Sequence, residues 1–333
     1  MSQDALEPAI AAHFAERAAQ GTLSVAPLGP EDARLLSATG QELGTAADQP
    51  SVPSRDIVIR LAGRDLPGRV YPAPGARHGE ATPVVVWYHG GGFVLCDLDS
   101  ADGICSRLVT NTGATVISVG YRLAPEDPWP AAHDDAADAL AWVHAHAAEL
   151  GVDPGRIAVA GDSAGATLAA WAATTAAHVL GIPVVLQVLF YPVISARADS
   201  GSYRQFASGW GLDRDEMLWF LRHYGVLDGP ARDEFDRTLA DPRPPLAPIH
   251  LVSAECDILR DEGERYLAHA RAAGVATTGV RHLGVPHGFV QLTGLTPQAD
   301  AALAGAARAL RQAFTARAEA AAPGVHTATL GTN

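Results

Sequence analysis

Ser163 stands in the pentapeptide Gly161-Asp-Ser-Ala-Gly165, directly after the apolar run 157–160 and directly before an Ala-rich stretch. Gly-x-Ser-x-Gly between a strand and a helix makes a sharp turn that presents the hydroxyl, and side chains at the glycines would collide across it. The helix that follows aims unsatisfied N–H groups and a partial positive charge at the same point. Such a hydroxyl becomes a nucleophile only if a base removes its proton and a third group orients that base. In this strand–turn–helix arrangement the acid comes later in the chain, after one strand, and the histidine after another. Asp257 follows the run 249–253, and His287 follows the run 278–282 within Gly284-Val-Pro-His-Gly-Phe289. Their rivals are weaker. Asp261 falls at a helix start, where a carboxylate is simply stabilising; Glu255 reads as structural, and His282 lies inside a strand. His133, His144, His146 and His223 read as surface or helix residues.

Nucleophilic attack on a carbonyl leaves negative charge on its oxygen, which backbone N–H groups must receive. His89-Gly-Gly-Gly-Phe93 follows the apolar run 83–87, and three glycines are more than a plain turn needs. They leave room for an oxyanion. Gly91 and Gly92 are the expected donors, together with Ala164, the residue after the nucleophile. His89 reads as a brace for this loop rather than a base.

The elements that must position these groups alternate along the chain. Apolar, β-branched runs occur at 56–61, 84–88, 115–119, 157–160, 184–190, 249–253 and 278–282. Helical stretches at 130–150, 164–180 and 260–273 lie between them. That alternation predicts an α/β fold, a mostly parallel central sheet flanked by helices. Leu6, Ile10 and Phe14 recur on one helix face, a second short helix is expected at 31–36, and 45–54 reads as a linker. Residues 199–237 break the rhythm with an aromatic-rich stretch. We expect a helical cap built from 1–50 and 199–237, over a core of 51–198 and 238–322, with a polar tail at 323–333. Within that cap Phe206 and Trp210 are candidates to line a substrate pocket, as is Phe93 beside the triple glycine.

The 333 residues carry a net charge of −13, with no basic block to offset it, which argues against nucleic acid or an anionic membrane as partner. Apolar residues make up 48% of the chain, enough for a large core. Cys96, Cys105 and Cys256 show no metal-ligand spacing, so no metal is expected. No apolar stretch is long enough to span a bilayer, and the first twenty residues lack the basic and apolar regions of a secretory signal. The expectation is a cytoplasmic protein with reduced thiols. The strand near Thr278 and the last helix are surfaces through which two copies could pair as a homodimer.

Five motifs in order, His89-Gly-Gly-Gly-Phe93, Tyr121-Arg-Leu-Ala-Pro-Glu126, Gly161-Asp-Ser-Ala-Gly165, Asp257-Ile-Leu-Arg-Asp-Glu-Gly263 and Pro286-His-Gly-Phe289, resemble the bacterial hormone-sensitive-lipase-like carboxylesterases. The resemblance spans about residues 50–320, on the Gly-Asp-Ser-Ala-Gly branch. It implies an α/β-hydrolase fold with a helical cap, no cofactor, and hydrolysis of small-molecule esters with short to medium acyl chains. It also implies a Ser163–Asp257–His287 triad with Gly91, Gly92 and Ala164 as oxyanion hole. Arg122 and Glu126 read as loop pins. Two positions depart from the family pattern, Gly120 for its usual Asp and Ile258 for its usual Pro. An amidase would use the same groups, whereas a ligand-binding relative would hold a small molecule without turning it over, and such relatives have typically lost the histidine that His287 retains here.

Overall fold

The computed structural model describes residues 5–21, 24–44, 52–77 and 79–321, and the side chains among these except 38–44 and 321. The 323–333 tail and residues 45–51 of the expected linker lie outside that description. The N-terminal half carries α1 (Pro8–Ala19), α2 (Pro30–Gly44), β1 (Arg55–Leu61), β2 (Arg64–Tyr71), β3 (Thr82–Tyr88), α3 (Asp102–Thr112), β4 (Thr115–Val119), α4 (Ala131–Ala145), α5 (Ala147–Leu150), β5 (Val152–Asp162) and α6 (Ala164–Thr175). After one π-helical turn follow β6 (Val184–Phe190), α7 (Gly201–Gln205), α8 (Arg214–Tyr224), α9 (Gly229–Thr238), β7 (Ile249–Cys256), α10 (Arg260–Ala272), β8 (Thr277–Pro286) and α11 (Pro297–Ala321).

One eight-stranded sheet runs in the order β1-β2-β4-β3-β5-β6-β7-β8. The pairings β1–β2 and β2–β4 are antiparallel, and the remaining five are parallel. Every residue of β4 is buried and β3 is nearly so, as parallel strands covered on both faces must be. Helix α6 buries nine residues, eight of them Ala, Gly or Thr, so its backbone packs close under β5.

All seven expected strand runs fall within observed strands, but β2 was not foreseen. Its sequence, Arg64-Asp-Leu-Pro-Gly-Arg-Val-Tyr71, carries a Pro-Gly pair that reads as a breaker. Pro67 sits just outside the β2–β4 ladder, which starts at Gly68, so its missing N–H breaks no rung there. The same proline accounts for Gly120: a Cβ at that position would come within 2.8 Å of Pro67 Cγ. Helix α3 also went unread. His133 is not a surface residue but is buried in α4, bonded to the Tyr224 hydroxyl at 2.8 Å, and desolvation lowers its pKa to about 3.

Arg122 forms its main ion pair with Asp135, whose carboxylate has no exposed surface and also receives Arg64. The Arg122 backbone N–H donates to the same carboxylate at 2.9 Å. Glu126 pairs instead with Arg34 of α2 at 2.7 Å. Removing one partner of a buried pair leaves an uncompensated charge. Asp135→Ala is therefore expected to lower stability by about 3 kcal/mol, near the low end because both arginines keep a solvent-facing side. A change in the urea midpoint at constant m measures it, and an unchanged midpoint would contradict it.

Candidate active site

The turn after β5 places Ser163 at φ 53°, ψ −122°, a conformation that L-residues avoid. Such strain costs on the order of 1–3 kcal/mol and persists only where the surroundings impose it. Here the Ser163 N–H donates to Phe190 O at 2.9 Å, and its carbonyl accepts from Ala166 and Thr167. A Cβ on Gly161 would fall 2.6 Å from Tyr88 O, and one on Gly165 would overlap the carbonyls of Tyr88 and His89. Both glycines thus let the end of β3 touch the turn backbone to backbone.

Asp257 and His287 come from the loops after β7 and β8 and reach the same spot. His287 Nε2 lies 2.9 Å from Ser163 Oγ, and Nδ1 lies 2.8 Å from Asp257 Oδ2. An ionised carboxylate only accepts hydrogen bonds. The tautomer that satisfies both contacts therefore carries its proton on Nδ1 and leaves Nε2 free to take the hydroxyl proton. Asp257 is fully buried, and its other oxygen accepts the Leu259 N–H at 2.8 Å, which closes the acid's turn. Ile258, in place of the family's proline, is tied through its carbonyl to the Ser202 hydroxyl at 2.6 Å. Glu255 accepts the Gly284 N–H at 2.8 Å and so steadies the histidine loop, while Asp261 accepts the Ser202 N–H. His282 bonds Gln298, away from these groups.

The loop after β3 is braced from below. The Tyr121 hydroxyl donates to His89 O at 2.8 Å and to Gly90 O at 3.1 Å, and the Tyr121 ring stacks on His89. Desolvation pushes His89 down to about 4, so it stays neutral and donates from Nδ1 to Gly90 O. Gly91 has φ +100°, and a Cβ there would overlap Leu95 O. Among the described residues the N–H groups of Gly91, Gly92 and Ala164 have no acceptor. Phe93 is fully buried and stacks on Tyr224 at 4.1 Å.

A cavity of about 280 Å³ opens beside His287, walled by Phe14, Leu36, Leu95, Leu212, Phe220 and Leu292 among others. Phe206 and Trp210 do not line it; they pack edge to face on each other at 5.1 Å, with Arg260 over Phe206. The apolar wall comes from other residues of segments 1–50 and 199–237, with Leu95 and Leu292 added from the loops after β3 and β8, and Phe14 was visible in sequence only as part of a helix face. Among the described residues no group of three or more His, Cys, Asp or Glu could hold a metal.

Asp162 was passed over in the sequence. Its Oδ1 accepts the Gly90 N–H at 2.8 Å, and Gln291 Nε2 approaches Oδ2 at 3.4 Å, so it joins the loops after β3, β5 and β8. A Cβ on Gly90 would come within 2.6 Å of that carboxylate, which is what the first of the three glycines is for. Burial pushes the Asp162 carboxyl up to about 6, against the opposing influence of His287, Gln291 and the Gly90 N–H. A raised folded pKa stabilises below the ordinary carboxylate range, and that contribution is lost as pH rises through about 6. Asp162→Asn removes this dependence. Its melting temperature relative to wild type should rise from pH 4 to pH 7, and a constant difference would show that the carboxyl is not destabilised by burial.

A profile of the alpha/beta hydrolase fold family matches residues 85–291. The ethyl acetate hydrolase of Pseudomonas putida is 35% identical over 92% of this chain and 99% of its own length. Carboxylesterase NlhH of Mycobacterium tuberculosis is 41% identical over 75% of this chain and 79% of its own. Among solved structures, a thermostable esterase from Pseudomonas putida ECU1011 superposes with a TM-score of 0.87 at 31% identity, covering 94% of this chain and 99% of that one. The hyperthermophilic esterase of Pyrobaculum calidifontis gives 0.84 at 37% identity, over 94% and 99%. With a shared family profile, relatives over nearly its whole length and solved structures that superpose on it, the chain belongs to the α/β-hydrolase family, in its hormone-sensitive-lipase-like branch.

Proposed function

We propose that this chain is a serine carboxylesterase in which Ser163 is the nucleophile, His287 the general base and acid, and Asp257 the group that orients it. The observation that carries this reading is the hydrogen-bonded relay Ser163–His287–Asp257, at 2.9 and 2.8 Å, at the edge of one cavity. His287 Nε2 takes the hydroxyl proton as Oγ attacks the ester carbonyl. The oxyanion is received by the N–H groups of Gly91, Gly92 and Ala164, and such donors are each worth about 3 kcal/mol in the transition state. His287 then gives the proton to the departing alcohol and leaves an acyl-enzyme on Ser163. Water then takes the alcohol's place: His287 removes its proton as it attacks the acyl carbon and returns that proton to Ser163 Oγ as the carboxylic acid leaves, with Asp257 stabilising the imidazolium each time.

The substrate side follows from the cavity. About 280 Å³, with Phe14 and Phe220 on its walls, suits a small ester better than a long-chain one, and the ethyl acetate hydrolase relative points the same way. Segments 1–50 and 199–237 act as the cap, since Phe14 and Leu36 from one and Leu212 and Phe220 from the other wall the cavity. The sheet ends at β8, and its exposed Val280 and Leu283 support this strand as the edge through which two copies pair. Cys96, Cys105 and Cys256 form no disulfide among the described residues, which fits the cytoplasm.

Nitrophenyl acetate, butyrate, octanoate and laurate test the reading on wild type and Ser163→Ala. Wild type should cleave acetate and butyrate fastest, and Ser163→Ala should lose at least about 10³-fold in kcat. Equal activity in both proteins would remove Ser163 from the mechanism. Laurate as the best substrate would remove the restrictive cap.

A further inference from the structure

Helix α8 sits directly on the loop that carries Gly91 and Gly92. A Cβ on Gly92 would lie 2.8 Å from Phe220 Cε1 and closer still to two other atoms of that ring. The phenyl group therefore occupies the space that a side chain at position 92 would take. One turn later on the same helix face, the Tyr224 ring stacks on Phe93 with centroids 4.1 Å apart. Two residues at i and i+4 of the helix thus meet two consecutive residues of the loop.

Phe220 is also held from behind. Trp219 packs edge to face against it at 5.1 Å, and its indole N–H donates to Leu28 O at 3.0 Å. Glu216, one turn earlier, accepts the N–H groups of Val25 at 3.0 Å and Asp213 at 3.1 Å. The Trp129 N–H donates to Tyr224 O at 2.9 Å. With these anchors on both sides, the ring cannot swing away without moving either the loop or the first cap segment. Yet Phe220 lines the same cavity as His287, so one face of the ring meets the substrate space.

We propose that Phe220 is a specificity-determining residue: its ring fills the space beside the reacting carbonyl and selects against esters branched next to the ester group. This inference rests on the esterase reading above and names the substrate shape that the site rejects. Gly92 and Phe220 form one device. The loop gives up a side chain so that its N–H stays accessible, and the cap refills the space with a fixed wall. A straight acyl chain and a primary alcohol pass along that wall, whereas a methyl group on either neighbouring carbon runs into it.

The test measures kcat/KM for Phe220→Leu and Phe220→Ala on two series. One compares nitrophenyl butyrate, 2-methylpropanoate and 2,2-dimethylpropanoate; the other compares ethyl, isopropyl and tert-butyl acetate. Relative to the straight-chain member, the branched members should gain at least about tenfold in one or both series with Ala, the scale of one methyl group in a pocket. Leu, which keeps an apolar wall with less bulk, should fall between. Unchanged ratios in variants that still cleave nitrophenyl acetate overturn the proposal. So does an equal loss toward every ester in a variant whose circular dichroism matches wild type, because Phe220 would then only support the loop. If wild type cleaves no ester, the function proposed above fails, and this inference falls with it.

Discussion

The site depends on one close approach, that of the end of β3 to the turn after β5. The carbonyls of Tyr88 and His89 press against Gly161 and Gly165, where any Cβ would overlap them. That contact holds Ser163 in its strained conformation and sets the loop of Gly91 and Gly92 beside it. Nothing in it is a strong interaction. It is an exclusion, and it works because the interior is packed too densely to yield. Parallel pairing of β3 with β5 fixes where the two strand ends fall, from Val84 opposite Ile157 to Tyr88 opposite Gly161. The sheet register and the catalytic geometry are therefore one constraint.

Around that contact the buried polar groups have separate tasks. His89 is kept neutral by desolvation and serves as a prop, with Tyr121 beneath it. Asp162 sits in the same buried layer and fastens the Gly90 N–H, although burial works against its charge. A group retained against its own desolvation is a frequent mark of a functional site. Tyr191, at 4.7 Å from the His287 ring, closes the third side of the imidazole with an apolar face. The histidine so enclosed keeps one direction open, toward Ser163 and the cavity.

Sequence showed most clearly those parts whose signal is local. The strand–turn–helix around Ser163, the triple glycine and the loops with Asp257 and His287 each carry their meaning within about ten residues. Strands β3 to β7 were legible because burial on both faces demands continuous apolar runs, and the edge strand β8 because its run follows the helical stretch 260–273. β2 was not, because its partners on both sides are antiparallel and its own Pro67-Gly68 pair imitates a turn. The cavity wall was the least legible part. Phe206 and Trp210 were favoured for their size and flanking glycines, yet they fill the second cap segment's own packing. Phe220 does line the cavity, but its helix also carries Trp219 and Tyr224, which do not. Aromatic content marks such a segment; only the crossing of α8 over the loop decides which ring faces inward. The contact between Asp162 and Gly90 spans 72 residues and has no local pattern at all.

Arg34 ties the first cap segment to the loop after β3. Arg34 of α2 donates from Nε to Val94 O at 2.9 Å, from a terminal nitrogen to Ala124 O at 3.0 Å, and to both oxygens of Glu126. The ion pair is more than half exposed on the Glu126 side, and exposed pairs contribute little to stability. Its value is directional. The carboxylate holds the guanidinium plane in place, and that plane then satisfies two backbone carbonyls, one of them two residues past Gly92. A cap fastened in this way cannot lift as a loose flap from its first segment without releasing the loop. Cap position and the geometry of the Gly91 and Gly92 donors are therefore joined at Val94 by the first segment and at Gly92 by the second. On the function proposed above, a chain built so does not separate the part that selects the ester from the part that stabilises its transition state.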